Sequence, residues 1–160
     1  MHTWKLTPKE AVQLQREISS MIVIGGEPEK LDLIAGIDIS MQLFGKTGYA
    51  AVIVFSYPDL EVVEEAFARG PIPFPYVPGL LTFREGPLIE QAMSQLQSSP
   101  DLLIFDGHGI AHPRGMGIAA HMGLKLNIPS IGCAKSRLCG EYLEPASEKG
   151  SSSVLQDGEG

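Results

Sequence analysis

Ile34-Ala35-Gly36-Ile37-Asp38-Ile39-Ser40 has the composition of a sheet interior with one carboxylate set into it. It belongs to a longer strand candidate, Leu31 to Ser40, apolar almost throughout until Asp38 interrupts it. An ionised side chain in such a place costs several kcal/mol unless a partner compensates it, so Asp38 asks for an explanation. Downstream, Phe44 to Gly48 reads as a turn and Tyr49 to Tyr57 as a second apolar strand ending at Pro58 and Asp59. Glu61 to Arg69 makes a third, half-exposed strand with weaker alternation. Tight turns between the three favour an antiparallel meander.

On the N-terminal side, Thr7 to Ser19 reads as an amphipathic helix. Thr7-Pro8-Lys9-Glu10 has the form of a capping box with proline at the first helical position, and Ala11, Leu14 and Ile18 share one face. Gly25, Gly26 and Pro28 end the pattern. Beyond the meander, Gly70 to Pro78 carries prolines at 71, 73, 75 and 78 and reads as irregular. Pro87 then opens a helix with Leu88, Ile89, Ala92, Met93 and Leu96 as its apolar stripe. Asp101 to Asp106 is a short buried strand, Met116 to Leu126 a helix, and Ser130 to Ala134 a last strand. From Pro145 onward only Val154 and Leu155 offer apolar anchors, and 146–160 reads as loop or flexible tail of a single domain spanning 1–160. Three antiparallel strands followed by alternating helices and strands define an α/β chain with a mixed sheet. That is the order of a ribonuclease-H-like domain, which other mixed α/β folds share.

With 44 % hydrophobic and 19 % charged residues in 160, the composition is that of a globular protein and excludes a disordered one. The longest apolar runs, such as Leu102 to Phe105, are far too short for a bilayer, and no membrane partner is expected. Trp4 and Lys5 lead directly into the first helix without a signal-peptide pattern. The two cysteines, Cys133 and Cys139, are too few for a disulfide framework. A reducing cytoplasm is the expected location. The net charge of −7 argues against holding nucleic acid by bulk electrostatics. It leaves room for a nuclease, because a divalent-metal site needs carboxylates and the bound cation inverts the local field.

Asp106 closes Leu102-Leu103-Ile104-Phe105-Asp106, followed at once by Gly107-His108-Gly109. A lone strand-end aspartate commonly caps a turn. Asp38 and Asp106 at the ends of neighbouring strands, about 4.8 Å apart, are able to share one cation. Glu85, in Phe83-Arg84-Glu85-Gly86-Pro87, is a third candidate, although an acid just before a helix also interacts favourably with the helix dipole. Oxygen ligands without a thiolate or imidazole cluster select Mg²⁺ or Mn²⁺ over zinc. Tyr76 stands on a stiff, proline-bracketed loop, pre-organised either to wedge between bases or to plug the sheet. Gly107, Gly109, Gly115 and Gly117 permit close backbone approach to a ligand or a helix-flanking turn. His112, Arg114 and His121 surround the last helix, where His121 has a packing role open to it. Lys135 and Arg137 follow the last strand, placed to meet phosphate.

Taken together, these blocks resemble the endonuclease V family. Ala35-Gly36-Ile37-Asp38-Ile39-Ser40, Pro75-Tyr76-Val77-Pro78-Gly79-Leu80-Leu81 and Phe83-Arg84-Glu85 carry the resemblance. So do Phe105-Asp106-Gly107-His108-Gly109, Ala111-His112-Pro113-Arg114-Gly115 and Ala134-Lys135-Ser136. The resemblance implies a ribonuclease-H-like fold and a Mg²⁺-dependent cut, with Mn²⁺ as substitute, at the second phosphodiester bond 3′ to deoxyinosine. It assigns Asp38, Glu85 and Asp106 as metal-binding and catalytic carboxylates, and Tyr76 as the wedge replacing a flipped base. Gly79, Leu81, Gly107 and Gly117 would line a hypoxanthine pocket, with Lys135 and His112 near the scissile phosphate. The family usually continues past the point corresponding to Gly160, with one more ligand in that part, so a chain cut short at its C-terminus is expected. Such a cut would expose apolar surface. Three alternatives stay open: a ribonuclease acting at inosine, a module that binds inosine-containing nucleic acid without cutting, and a metal-free α/β small-molecule binder.

Overall fold

The computed structural model describes residues 2–41 and 45–157. Phe44, the start of the expected turn, lies outside them, as do the last three residues of the expected tail. The elements in chain order are α1 (Pro8–Ile18), β1 (Leu33–Met41), β2 (Thr47–Ser56), β3 (Val62–Pro71), α2 (Leu81–Met93), β4 (Leu102–Phe105), α3 (Ile118–Leu126) and β5 (Ser130–Gly132). A short 3-10 turn, Ser19–Met21, follows α1.

The five strands form one sheet in the order β3-β2-β1-β4-β5. β1 pairs antiparallel with β2, which pairs antiparallel with β3; β4 and β5 run parallel to β1. This is the expected mixed α/β sheet, matching the ribonuclease-H-like topology. The apolar run that opened the sequence lies at its centre because a central strand is shielded on both edges and rewards continuous hydrophobicity. Alternation along the strands divides the sheet in two. Ala35, Ile37, Val52, Val54, Leu103 and Phe105 form the buried face, packed against Leu88, Ile89 and Ala92 of α2 and Ile118, Ala119 and Met122 of α3. Asp38, one residue out of phase with Ile37, points to the opposite face and is exposed.

The capping box of α1 forms as expected: the Thr7 side chain accepts from the Glu10 N–H, and the Glu10 carboxylate accepts from the Thr7 N–H at 2.7 Å. Ala11 of this helix joins Phe74, Leu80 and Phe83 in a second apolar cluster.

Helix α2 begins at Leu81, not at Pro87, which sits inside it. Pro87 lacks the N–H that would bond to the Phe83 carbonyl, a loss of helical stability. Burial of Leu80 and Phe83 against Phe74 and Ala11 outweighs it and holds the earlier turn in helical form. Glu85 is therefore a helical residue in the second turn rather than a charge ahead of the helix. β3 runs to Pro71 instead of ending at Arg69, Pro71 pairing with Thr47. Proline is tolerated there because β3 is an edge strand. β5 stops at Gly132, two residues short of the expected end. Beyond it, an isolated bridge between Glu141 and Gln156 is the one recorded pairing among the described residues. No helix among the described residues is long and apolar enough to cross a membrane.

Candidate active site

The register of β1 and β4 assembles the site. Ile37 stands opposite Phe105, and the Asp106 N–H donates to the Ile37 carbonyl at 3.2 Å. Asp38 and Asp106 thus leave adjacent parallel strands side by side. Both line a solvent-open cleft of about 420 Å³ together with Glu85, Gly107, His108 and Lys135. Lys135 Nζ donates to Asp106 Oδ2 at 2.5 Å, which holds the ammonium above its usual pKa. Asp38 Oδ1 accepts from the Ile39 N–H at 2.7 Å.

Glu85 reaches the same cleft from α2. Burial, and secondarily the Asp38 carboxylate, push its carboxyl up to about 7; neighbouring Arg84 pulls the other way, and Asp106 adds to the rise. Arg84 gives Glu85 little relief because its guanidinium is committed elsewhere, Nη1 donating to the Phe74 carbonyl at 2.8 Å and Nε to Met41 Sδ at 3.1 Å. Three carboxylates therefore share one cleft with a single ammonium, on Asp106. Among the described residues, no three His, Cys, Asp or Glu side chains stand close enough to ligate one ion as they are placed. The chemistry of the donor set nonetheless fits a hard divalent cation: carboxylate oxygens, no thiolate, and an acid that burial and then Asp38 push up to about 7.

The remaining sequence candidates surround the cleft. Tyr76 is 66 % exposed while Phe74, two residues earlier, is buried at 6 %. The loop supplies both the plug and the free ring that the sequence left as alternatives. Gly79, at φ +77°, turns its carbonyl toward three donors: Gln15 Nε2 at 3.1 Å, His112 Nε2 at 3.0 Å and Arg114 Nη2 at 2.9 Å. A side chain there would also meet Arg114 Nη2 at 2.6 Å. His112 Nδ1 accepts from the N–H groups of Arg114 and Met116, so its proton resides on Nε2, and burial lowers its pKa. His112 is thereby tied to the Gly79 loop and does not line the carboxylate cleft. Leu81 opens α2 and is partly exposed.

Gly117 caps α3, its N–H donating to the Gly109 carbonyl at 2.9 Å. A Cβ on Gly117 would lie 2.3 Å from the His108 carbonyl oxygen, and one on Gly107 would lie 2.6 Å from Ile118 Cγ2. The loop after β4 is thus pressed onto the start of α3. Gly117→Ala is expected to cost about 2–4 kcal/mol, because backbone rather than a flexible side chain must move. Urea unfolding midpoints of the two proteins measure it.

Sequence reading missed three contributors. Gln15 is fully buried and links α1 to the site, its Oε1 accepting from Arg114 Nε at 2.7 Å. The available signal was an amide on the apolar face of α1, one turn after Ala11. Arg84 carried no signal beyond its charge within an apolar stretch. His108 lines the cleft with Nε2 2.8 Å from the Ser136 carbonyl, and only its place beside Asp106 hinted at this.

Comparison with known proteins gives this geometry a context. The Endonuclease V family profile matches residues 16–160. Endonuclease V of Dehalococcoides mccartyi is 50 % identical over 155 residues, covering 97 % of this chain and 70 % of that protein. The crystal structure of Endonuclease V from Streptomyces avermitilis superimposes with a TM-score of 0.89 at 37 % identity, over 97 % of this chain and 69 % of that one. Endonuclease V of Ciona intestinalis was solved in complex with a 23mer DNA containing an inosine followed by a ribo-adenosine. It matches with a TM-score of 0.76 at 26 % identity, over 84 % of this chain and 61 % of that one. Sequence and fold agree: the chain belongs to the Endonuclease V family.

Proposed function

We propose that this chain acts in DNA repair as an endonuclease, hydrolysing the second phosphodiester bond 3′ to deoxyinosine with a divalent cation. The observation that carries the reading is the convergence of Asp38, Glu85 and Asp106 on one open cleft beside Lys135. Family membership and the inosine-containing DNA held by the Ciona intestinalis relative support the substrate.

Asp38, Asp106 and Glu85 would hold Mg²⁺, or Mn²⁺ in its place, which when bound supplies Lewis-acid activation of water and charge for the departing 3′-oxygen. Lys135 is positioned to exchange its contact with Asp106 for a phosphate oxygen and so fix the strand in the cleft. Tyr76 on its proline-bracketed loop fills the gap left when the damaged base is extruded, a step that is cheaper for a mispaired base. Gly79, Leu81, Gly107 and Gly117 are the residues that the family resemblance assigns to the extruded hypoxanthine, and His112 holds the loop that carries the wedge.

The test is a nicking assay on a duplex containing one deoxyinosine, with an adenine duplex as control and Mg²⁺, Mn²⁺ or EDTA in parallel. One product, displaced by a nucleotide from the inosine and absent in EDTA, is the expected result. An intact inosine strand in both metals overturns the reading. The ribo-adenosine that follows inosine in the Ciona intestinalis complex favours one second reading, cleavage at inosine in RNA. An inosine-containing RNA strand cut faster than the DNA duplex would select it.

A further inference from the structure

The sheet face opposite α2 and α3 carries a feature that the cleavage reaction does not account for. In adjacent ladder rows, Asp38 stands opposite Ala51 and Ala51 opposite Phe67, while Ser40 stands opposite Tyr49 and Tyr49 opposite Arg69. Tyr49 is 51 % and Phe67 58 % exposed. The small side chain of Ala51 leaves a gap, flanked by Tyr49 along its own strand and Phe67 across the ladder. A cavity of about 260 Å³ results, lined by Tyr49, Ala51, Phe67 and Arg69 and sharing Asp38 and Ser40 with the carboxylate cleft. Its size is below the roughly 300–1,000 Å³ of drug-sized ligand sites and suits a single flat ring.

Arg69 adds charge. Its guanidinium lies 5.6 Å from the centroid of the Tyr49 ring, and among the described residues it makes no salt bridge. In a chain of net charge −7, a cation without a salt bridge beside exposed aromatics favours an anionic, π-bearing ligand. Aromatic rings with a neighbouring cation on an open sheet are the chemistry by which unpaired bases are held without regard to sequence. The continuous lining from Tyr49 to Asp38 says which such ligand: the strand that the proposed function brings into the cleft.

We propose that Tyr49, Phe67 and Arg69 form an accessory strand-binding site. Tyr49 and Phe67 stack one unpaired base of the substrate, and Arg69 engages an adjoining phosphate, guiding the strand across the sheet into the carboxylate cleft. The site rests on the nuclease reading for its ligand and deepens it by naming the strand's path. Its residues are distinct from Gly79, Leu81, Gly107 and Gly117, the set assigned to hypoxanthine.

The experiment measures fluorescence anisotropy of a labelled single-stranded deoxyoligonucleotide with one inosine, at low salt and in EDTA, so that neither metal nor cleavage enters. The full chain is compared with Tyr49→Ala, Phe67→Ala, Tyr49→Trp and Arg69→Gln. Each alanine variant is expected to weaken binding roughly 5- to 150-fold, the range for loss of one base–aromatic stack. Tyr49→Trp is expected to keep it, and Arg69→Gln to flatten the dependence on salt. Circular dichroism melts confirm that the variants remain folded. Undiminished affinity in both alanine variants overturns the accessory site while leaving the nuclease reading intact. A wild-type chain that binds no oligonucleotide under these conditions overturns the accessory site, while the nuclease reading stands or falls on the nicking assay with metal. A dimer in sedimentation that dissociates in Phe67→Ala with unchanged oligonucleotide affinity overturns the site in favour of contact between copies.

Discussion

Glu85→Gln is expected to stabilise the protein at pH 8 while abolishing divalent-metal-dependent cleavage, two effects of opposite sign from one atom. The carboxyl is raised from 4.5 to about 7, so between those values the folded chain binds its proton more tightly than the unfolded chain does. Stability therefore falls as pH rises through that window, and above it the folded state carries an ill-placed charge costing on the order of 3 kcal/mol. Glutamine keeps the shape and removes the charge. Denaturation midpoints at pH 8 should rise in the variant, and the gain should vanish at about pH 4.5. Added Mn²⁺ should stabilise the wild type more than the variant, because a cation removes the penalty that the substitution has already removed. Cleavage should drop about a thousandfold or more, since charge stabilisation at the reacting phosphate is lost. A variant no more stable than wild type at pH 8 would show that burial and the neighbouring carboxylates do not burden the ionised Glu85.

The second expected result concerns acid. His121 is fully buried, its Nε2 2.8 Å from His2 Nε2, and among the described residues its Nδ1 has no partner. Burial, aided by His2, Lys125 and His112, brings its pKa from 6.5 to about 3. Here the unfolded chain binds the extra proton, so stability is complete above 6.5 and is lost as pH falls toward 3. Acidification from pH 6.5 to about 5 should cost on the order of 2 kcal/mol through this group. In the overlapping window Glu85 and His121 act in opposition, and the wild type should be less pH-sensitive than either variant. Relative to wild type, His121→Leu should gain stability steadily below pH 6.5, Glu85→Gln should lose its advantage there, and the double variant should restore a flat difference. Urea midpoints at half-unit pH steps measure this. A His121→Leu difference that does not change with pH would contradict it.

What the sequence disclosed, it disclosed through local conflict. A carboxylate inside the apolar run of β1 and another at the end of β4 violate the composition of their own strands, so Asp38 and Asp106 stood out without a fold. The capping box fixed the start of α1 for the same local reason. The start of α2 did not show, because Pro87 imitates a first helical residue while the burial of Leu80 and Phe83 that decides the matter involves partners in α1 and the proline loop. Glu85 was accordingly ambiguous from its own surroundings and needed the family resemblance. The clamp of Gln15, His112 and Arg114 on the Gly79 carbonyl joins residues up to 99 positions apart, and no spacing along the chain could announce it.

On the proposed metal-dependent reading, the pairing of Ile37 with Phe105 has an outcome for how ion affinity would be acquired. Because neighbouring strands carry the two aspartates, slippage by one position would send a carboxyl into the apolar layer, so intermediate alignments are excluded. Metal capture should then appear all at once when the parallel pair zips shut, making Mn²⁺ a reporter of that late, long-range event during refolding.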